Sequence, residues 1–203
     1  MNMQETMQPD IRICKSHRLY TLHFTLYTFL SAYLANRQNH KHFAIVIGIA
    51  IAGQQYAAVG NLHLLYEQNK CPVHIHKEWV WDAERGDNQR LRDYKNGCIL
   101  RARQGAVLIS PFISSDEVAV RDVALREGLP VIYILDNGLP QGRHYKPAAY
   151  LMQPLAAGQL PLLSPWSNYV PDKGRCTRAE CTAMNHMAEQ LAEEAARRRS
   201  GKR

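Results

Sequence analysis

The chain has 203 residues, of which 46% are hydrophobic, and a formal net charge of +7 at pH 7. A chain of this length buries a core without metal or disulfide staples, which excludes the class of small stapled proteins. The positive charge favours polyanionic partners. We expect three parts: an N-terminal extension over 1–65, one domain over 66–196 and a basic tail over 197–203. The tail forms a solvated helix end, or it adds salt-sensitive, non-specific affinity for nucleic acid.

Two uncharged segments, 19–35 and 43–52, stand out in the N-terminal extension. Both are shorter than the roughly 20 apolar residues that a helix needs to cross a bilayer. We therefore interpret them as two buried helices that pack on each other and on the rest of the fold, with membrane association as the alternative. The extension is predicted to be helical.

The five cysteines and the lack of a secretory signal pattern at the N-terminus predict a reducing, cytoplasmic environment. Cys176, Cys181 and His186 suggest a zinc site, but residues five apart on one helix advance by about 140° and do not converge on one ion. His74 and His76 would share one face of a strand, and we interpret this pair as structural. The sequence thus predicts no metal and no cofactor.

Three short apolar segments, 106–109, 131–135 and 160–163, are typical of buried parallel strands. An amphipathic helix is predicted over 116–127, and Gly128 suits the C′ position that follows it. Strands and helices in this order build a parallel sheet. The predicted fold class is therefore α/β, a Rossmann-like parallel sheet flanked by helices, with the helical extension before it.

Each of these strands runs into small or polar residues. The carboxyl ends of parallel strands meet at one edge of a sheet, where ligands of such folds bind. Serines ahead of the helix can cap it, and its free N–H groups and dipole favour an anion. The sequence therefore predicts a ligand site at this edge, formed by Ser110, Ser114, Ser115, Asp136, Asn137, Gly138 and Ser164.

The same residues resemble the DNA-processing protein A (DprA/Smf) family, within the Rossmann-like nucleotide-binding superfamily that includes the LOG proteins. The family pattern V-S-G-x-A-x-G-I-D, followed by a helix with A-x-x-x-A-L, is similar to the run from Ile109 to Leu125. Its strands I-A-V-L-G-x-G-L and L-L-S-E-F-P resemble 132–139 and 162–166. Its late R-N-R-x-I-x-x-L box is matched in part by Met184, Asn185, His186 and Leu191.

The resemblance covers about half of the chain, Gly97 to Ala192. Pro111 and Ser115 stand at the two family glycines, Glu117 stands at the aspartate, and the arginines of the late box are absent. The family's first strand has only a weak counterpart, between Leu65 and Trp79.

The resemblance implies a DNA-processing protein that binds single-stranded DNA or a nucleotide and catalyses no reaction. A recombinase partner in recombination and a homodimer are also implied. Nucleic-acid contacts are expected from Arg121, Arg143 and Lys146. The implied nucleotide- or phosphate-binding residues are Ser110, Pro111, Ser114, Ser115, Glu117, Asp136, Asn137, Gly138, Ser164 and Asn185.

Two alternatives remain open. One is a LOG-like enzyme or sensor for a free nucleotide-derived ligand, with Glu117 as acid or base, although the P-G-G-x-G-T-x-x-E signature is missing. The other is an interaction protein with a vestigial pocket. The charged segment 82–94 is interpreted as a solvated helix or loop, with Arg90 and Arg92 lining a phosphate groove as the alternative. Asn185 is expected in the N-terminal half of the final helix, facing the strand edge.

Overall fold

A six-stranded mixed sheet organises the protein in a computed structural model that describes residues 44–51, 53–140 and 144–201. The predicted helix over 19–35 lies outside these residues. The strands are β1 (Ala44–Ile45), β2 (Ile47–Ile51), β3 (Gln54–Gly60), β4 (Lys70–Pro72), β5 (Val107–Ser110), β6 (Val131–Ile134), β7 (His144–Tyr145) and β8 (Pro161–Ser164). The helices are α1 (Lys77–Glu84), α2 (Gln89–Arg103), α3 (Ser115–Arg126), α4 (Ala149–Ala156) and α5 (Arg178–Ser200), with a 3-10 helix at Leu62–Tyr66.

The predicted α/β fold class is confirmed. The sheet order is β2-β3-β8-β6-β5-β4, and β4, β5, β6 and β8 are parallel neighbours. Strand β3 is antiparallel to β8, and β2 is antiparallel to β3. A separate antiparallel pair joins β1 to β7. The three strands predicted in the second half of the chain are β5, β6 and β8, which lie side by side.

The parallel strands follow one another across the sheet in chain order, without a reversal. Right-handed crossovers in one direction place their helices on one face of the sheet. Cys98 of α2, Val120 of α3 and Leu151 of α4 accordingly share one core cluster. Met184 and Met187 of α5 belong to a second cluster. The final helix, over β4 and β5, and the 3-10 helix, over β6 and β8, therefore cover the face that the crossover helices leave open.

The expectation of a helix over 43–52 is wrong, because this segment supplies β2 of a hairpin. In β2 the residues alternate between more and less exposed positions along Ile47–Ile51, which is the period of a strand. β-branched isoleucines that alternate with Gly48 and Ala50 favour this extended backbone. Gly53 has a φ of 82° in the turn that leads to β3. None of the helices in the described part of the chain is long and apolar enough to cross a membrane.

A weak strand was predicted between Leu65 and Trp79, and β4 lies in this range. Strand β4 has only three residues, paired in parallel with β5, and the Val73 N–H extends the ladder by donating to the Ile109 carbonyl at 3.0 Å. The charged segment 82–94 contains the end of α1, a turn at Gly86 with a φ of 100°, and the start of α2. Most of these residues are exposed, as the interpretation of a solvated helix or loop requires, but Leu91 is buried and Tyr94 packs against the core.

Helix α5 begins with a capping box. The Thr177 hydroxyl accepts from the Glu180 N–H at 3.3 Å, and the Glu180 carboxylate accepts from the Thr177 N–H at 2.7 Å. The helix continues to Ser200, so the arginines at 197–199 form its last turn. Cations at this end stabilise the negative pole of the helix dipole.

The Glu180 carboxylate predicts a pH dependence of stability. The Thr177 N–H, and after it the Lys173 ammonium, lower the pKa of Glu180 to about 2 from an ordinary 4.5. A lowered folded-state pKa contributes stability above the ordinary value, and this contribution is lost as the pH falls toward 2. Glu180→Gln is therefore expected to lower the melting temperature at neutral pH. Its difference from the wild type should vanish near pH ~2, as followed by circular dichroism.

Glu193→Gln is the matched control for this pH series, because Glu193 lies exposed on the same helix. Its difference from the wild type should stay small at every pH. A Glu180→Gln difference that is the same at neutral and acidic pH would contradict the assigned role of the carboxylate.

Candidate functional site

The turns after β5, β6 and β8 meet at the carboxyl edge of the sheet, since the three strands are parallel neighbours. Two of the turns contact each other directly. The Ser164 hydroxyl donates to the Asn137 carbonyl at 2.8 Å. The Trp166 indole N–H donates to the Leu135 carbonyl at 3.0 Å. The structure thus brings Ser164, Asn137 and their neighbours together.

The turn after β5 is closed by its own side chains. Ser110 is fully buried, and its hydroxyl accepts from the Phe112 N–H at 3.0 Å. Pro111 and Phe112 are buried as well, and Phe112 has a φ of 46°. Ser114 is the N-cap of α3, where its hydroxyl accepts from the Glu117 N–H. These serines serve the turn and the helix start, while Ser115 is exposed in the first turn.

The Glu117 carboxylate accepts hydrogen bonds from backbone N–H groups near the start of α3. Its side chain is buried, with the residue only 3% exposed. One carboxylate oxygen accepts from the Ile75 N–H at 3.0 Å, and the other accepts from Ile113 at 2.8 Å and Ser114 at 3.2 Å. Such N–H groups commonly bind the phosphate of a ligand. Here the chain's own carboxylate binds these three N–H groups, and the S-x-x-E capping-box pattern at Ser114 was the signal for it.

Residues 165–177, called the edge loop below, pack over the turn after β6. The Asn137 side chain donates to the Val170 carbonyl at 2.8 Å and accepts from the Val170 N–H at 3.0 Å. Lys173 bonds the Asp136 carbonyl and lies 3.0 Å from the Glu180 carboxylate. A Cβ added to Gly138 would lie 2.2 Å from the Asn168 carbonyl oxygen. The predicted site residues of this turn therefore hold the edge loop in place.

The three cations implied by the resemblance have different surroundings. Arg121 is only 6% exposed, with its guanidinium carbon 5.4 Å from the Tyr133 ring and 5.0 Å from the Tyr150 ring. Lys146 is exposed. Arg143 lies outside the described residues. Contact of these residues with nucleic acid stays a prediction.

Asn185 lies in the N-terminal half of α5, as expected, and the buried Met184 and Met187 face the sheet. Its side-chain oxygen is buried and has no hydrogen-bond partner among the residues that the structure describes. An unpaired buried acceptor costs about 1–3 kcal/mol, so a donor that reached this oxygen would be favoured. Binding by Asn185 stays a prediction.

An aromatic patch at the same edge was missed by the sequence analysis. Its rings belong to His74, His76, Trp79 and Tyr94, and successive ring centroids are 4.9, 4.8 and 5.0 Å apart. We call these four residues, together with Lys77, Trp81 and Arg90, the aromatic patch; Lys77 and Trp81, four residues apart, lie on a different face of α1 from Trp79. The histidines follow the carboxyl end of β4, and the bond from Ile75 to Glu117 fixes them beside α3. The H-x-H-x-x-W-x-W pattern over 74–81 was the available signal.

Two cations lie on indole faces of this patch. The Arg90 guanidinium carbon is 4.6 Å from the Trp79 ring centroid, and the Lys77 ammonium is 4.4 Å from that of Trp81. Arg90 is also one of the two arginines for which the sequence offers a phosphate groove as the alternative. Trp81 is 47% exposed, and His76, Lys77 and Arg90 are exposed as well. The patch therefore offers aromatic faces and positive charge to solvent.

Cavities also occur away from the carboxyl edge. One of about 200 Å³ lies beside Cys71 and Arg101, and one of about 670 Å³ lies between α2 and α3. Cys98 and Arg101 hold the pKa of the buried Cys71 thiol below its ordinary value by hydrogen bonding to the sulfur. These cavities share no lining residue with the edge loop or the aromatic patch.

The zinc argument from helical spacing is wrong for one of its pairs. Helix α5 begins at Arg178, so Cys176 precedes it, and the sulfur atoms of Cys176 and Cys181 lie 3.2 Å apart. Among the described residues, no group of three His, Cys, Asp or Glu side chains is placed to hold a metal ion.

Comparisons of the chain with models of protein families, with curated proteins and with solved structures give no match. What the structure itself shows is an α/β fold with a mostly parallel six-stranded sheet.

Proposed function

We propose that the protein binds single-stranded nucleic acid at the carboxyl edge of its sheet, without catalysis, as a DprA-like DNA-processing protein in recombination. The observation that carries the proposal is the aromatic patch. Proteins that bind single strands without sequence preference combine stacking aromatic rings with a positively charged path for the backbone. The net charge of +7 favours the same partner.

Each cation lies on an indole ring, Arg90 on Trp79 and Lys77 on Trp81, so a strand that passes over α1 would meet both pairs. Bases stack on exposed rings such as Trp81 and His76, while Lys77 and Arg90 neutralise the phosphates between them. The start of α3 is a poor phosphate site, because the Glu117 carboxylate already accepts from the Ile113 and Ser114 N–H groups there, and from the Ile75 N–H after β4. A second anion beside this carboxylate would be repelled.

The LOG-like enzyme is the second candidate, and the same bonds of Glu117 count against it. A general acid or base must reach the substrate directly or through one water molecule. Both oxygens of Glu117 are engaged with the backbone, and the residue is buried. Catalysis would require Glu117 to give up these bonds and reach the substrate, whereas the non-catalytic proposal leaves them in place. A vestigial pocket remains as an outcome of the experiment below.

Titration of a labelled oligo-dT, followed by fluorescence anisotropy, tests the proposal. Base stacking contributes about 1–3 kcal/mol per base, so Trp81→Ala should weaken binding roughly 5- to 150-fold. The slope of log affinity against log salt should be about −0.7 per phosphate contacted. Lys77→Ala and Arg90→Ala should each reduce its magnitude by about 0.7.

Matched controls lie at the opposite edge of the sheet. Tyr66 is 41% exposed and follows β3, whose end pairs with the start of β8. Arg126 is an exposed cation at the end of α3. Tyr66→Ala and Arg126→Ala should leave binding unchanged. Binding that is independent of salt, or thermal stabilisation by free nucleotides alone, would support the enzyme candidate. No binding of either ligand would support a vestigial pocket.

A further inference from the structure

Two sulfur atoms lie in contact where the edge loop enters α5. Cys176 precedes the N-cap Thr177, and Cys181 lies in the first turns of the helix. Their Sγ atoms are 3.2 Å apart, and both residues are partly exposed. The capping box holds the chain between them in place. A small reagent can thus reach a pair of thiols that the fold already brings together.

We propose that Cys176 and Cys181 form a reversible disulfide by exchange with low-molecular-weight disulfides, and that this bond fixes the edge loop to α5. A disulfide has an S–S distance of about 2.0 Å, so the sulfur atoms need to approach by only about 1 Å. In a reducing compartment, disulfides of this kind are typically transient and redox-sensing.

The reaction is an ordinary two-step exchange. The Cys181 thiolate attacks the small disulfide R–S–S–R, forms a mixed disulfide and releases R–S⁻. The Cys176 thiol then loses its proton, attacks the Cys181 sulfur and expels the second R–S⁻. The two cysteines lose two protons and two electrons in all, and the small disulfide is reduced to two thiols. Burial raises the pKa of the Cys176 thiol to about 12, which favours Cys181 as the first nucleophile.

The bond would act on the loop that covers the candidate site. Lys173, three residues before Cys176, already connects the Asp136 carbonyl with Glu180 of α5. The Asn137 side chain holds Val170 of the same loop. A covalent link at the end of the loop adds a constraint that does not depend on the protonation of Glu180. The oxidised protein therefore keeps the edge loop closed over the turn after β6.

Peptide mapping of the full chain tests the bond directly. The protein is equilibrated with oxidised and reduced glutathione at graded ratios, acid-quenched, alkylated and digested with trypsin. Cleavage after Arg175 and Arg178 puts Cys176 and Cys181 on separate peptides, so only a disulfide joins them. We expect the joined pair, lighter by two hydrogen atoms than its reduced parts, to increase with the oxidised fraction and to vanish with dithiothreitol.

Cys181→Ser is expected to abolish the joined pair, whereas Cys14→Ser leaves it intact. The proposal is overturned if both thiols stay alkylated at excess oxidised glutathione, or if a Cys71–Cys98 bond forms instead.

Amide hydrogen exchange tests the second part of the proposal, the fixing of the edge loop: residues 168–175 should exchange more slowly in the oxidised wild type than in the reduced one. Equal exchange rates would refute the fixing of the loop. Neither readout depends on nucleic-acid binding.

Discussion

Glu117→Ala is expected to lower the free energy of unfolding by about 3–5 kcal/mol, and the melting temperature by roughly 10 °C. The substitution leaves the N–H groups of Ile75, Ile113 and Ser114 without their acceptor. Each unpaired donor costs about 1–3 kcal/mol where water cannot replace the lost partner. Because water can reach some of these three N–H groups, we expect a total below the sum of the three full costs. Thermal or urea unfolding measures the effect.

Two further variants show whether the loss comes from these hydrogen bonds. Glu193→Ala removes an exposed carboxylate from a helix and should change the stability by less than about 0.5 kcal/mol. Glu117→Gln keeps the size of the side chain but turns one acceptor into a donor, which faces N–H groups. It should therefore remain clearly destabilised. A Glu117→Gln protein as stable as the wild type would contradict the structural role and reopen the acid–base alternative.

Gly60→Ala is expected to destabilise the protein by about 2–5 kcal/mol, from backbone strain and from overpacking. Gly60 ends β3 with a φ of 103° and pairs with Pro161 of β8. An added Cβ would lie 2.3 Å from the Leu160 carbonyl oxygen, a distance at which the backbone must shift. Because β3 joins the hairpin to the parallel strands, the shift would disturb their pairing. Urea unfolding gives the change in free energy.

Alanine variants of two other glycines in the hairpin distinguish backbone strain from overpacking. Gly53 has a φ of 82° but no atom within 4 Å of an added Cβ, so Gly53→Ala measures strain alone. Gly48 has neither feature, and Gly48→Ala should be close to neutral. We expect the destabilisation to increase from Gly48 to Gly53 to Gly60. A Gly60→Ala protein no less stable than Gly53→Ala would show that the close approach to Leu160 carries no cost.

The parallel strands could be predicted because their pattern is local. The residues Val131–Ile134 are apolar and end at Asp136 and Asn137, which is sufficient to indicate a buried strand and its turn. The hairpin was misread because hydrophobicity alone does not separate a strand from a buried helix over ten residues. The alternation of Ile with Gly48 and Ala50 was the signal that decided it.

The candidate site was predictable only in part, since its contacts join segments that are distant in the chain. The aromatic patch needs Tyr94 of α2 to meet Trp79 of α1, and Ile75 to meet Glu117 of α3. A sequence pattern within one segment cannot predict these contacts between distant segments. The proximity of Cys176 and Cys181 depended on where α5 begins, and helix boundaries are the least certain part of a sequence-based prediction.

The one-directional strand order has a consequence for the newly made chain. The crossover helices are synthesised with their strands, but Ile109 of β5 and the rest of the face under α5 wait for Met184 and Met187. At roughly 5–20 residues per second, the 23 residues of this helix take about 1–5 s to add. During that interval the part of this face under α5 stays open, while the 3-10 helix at Leu62–Tyr66 already covers β6 and β8. The buried residues over β4 and β5 are therefore exposed on this side until α5 has been made.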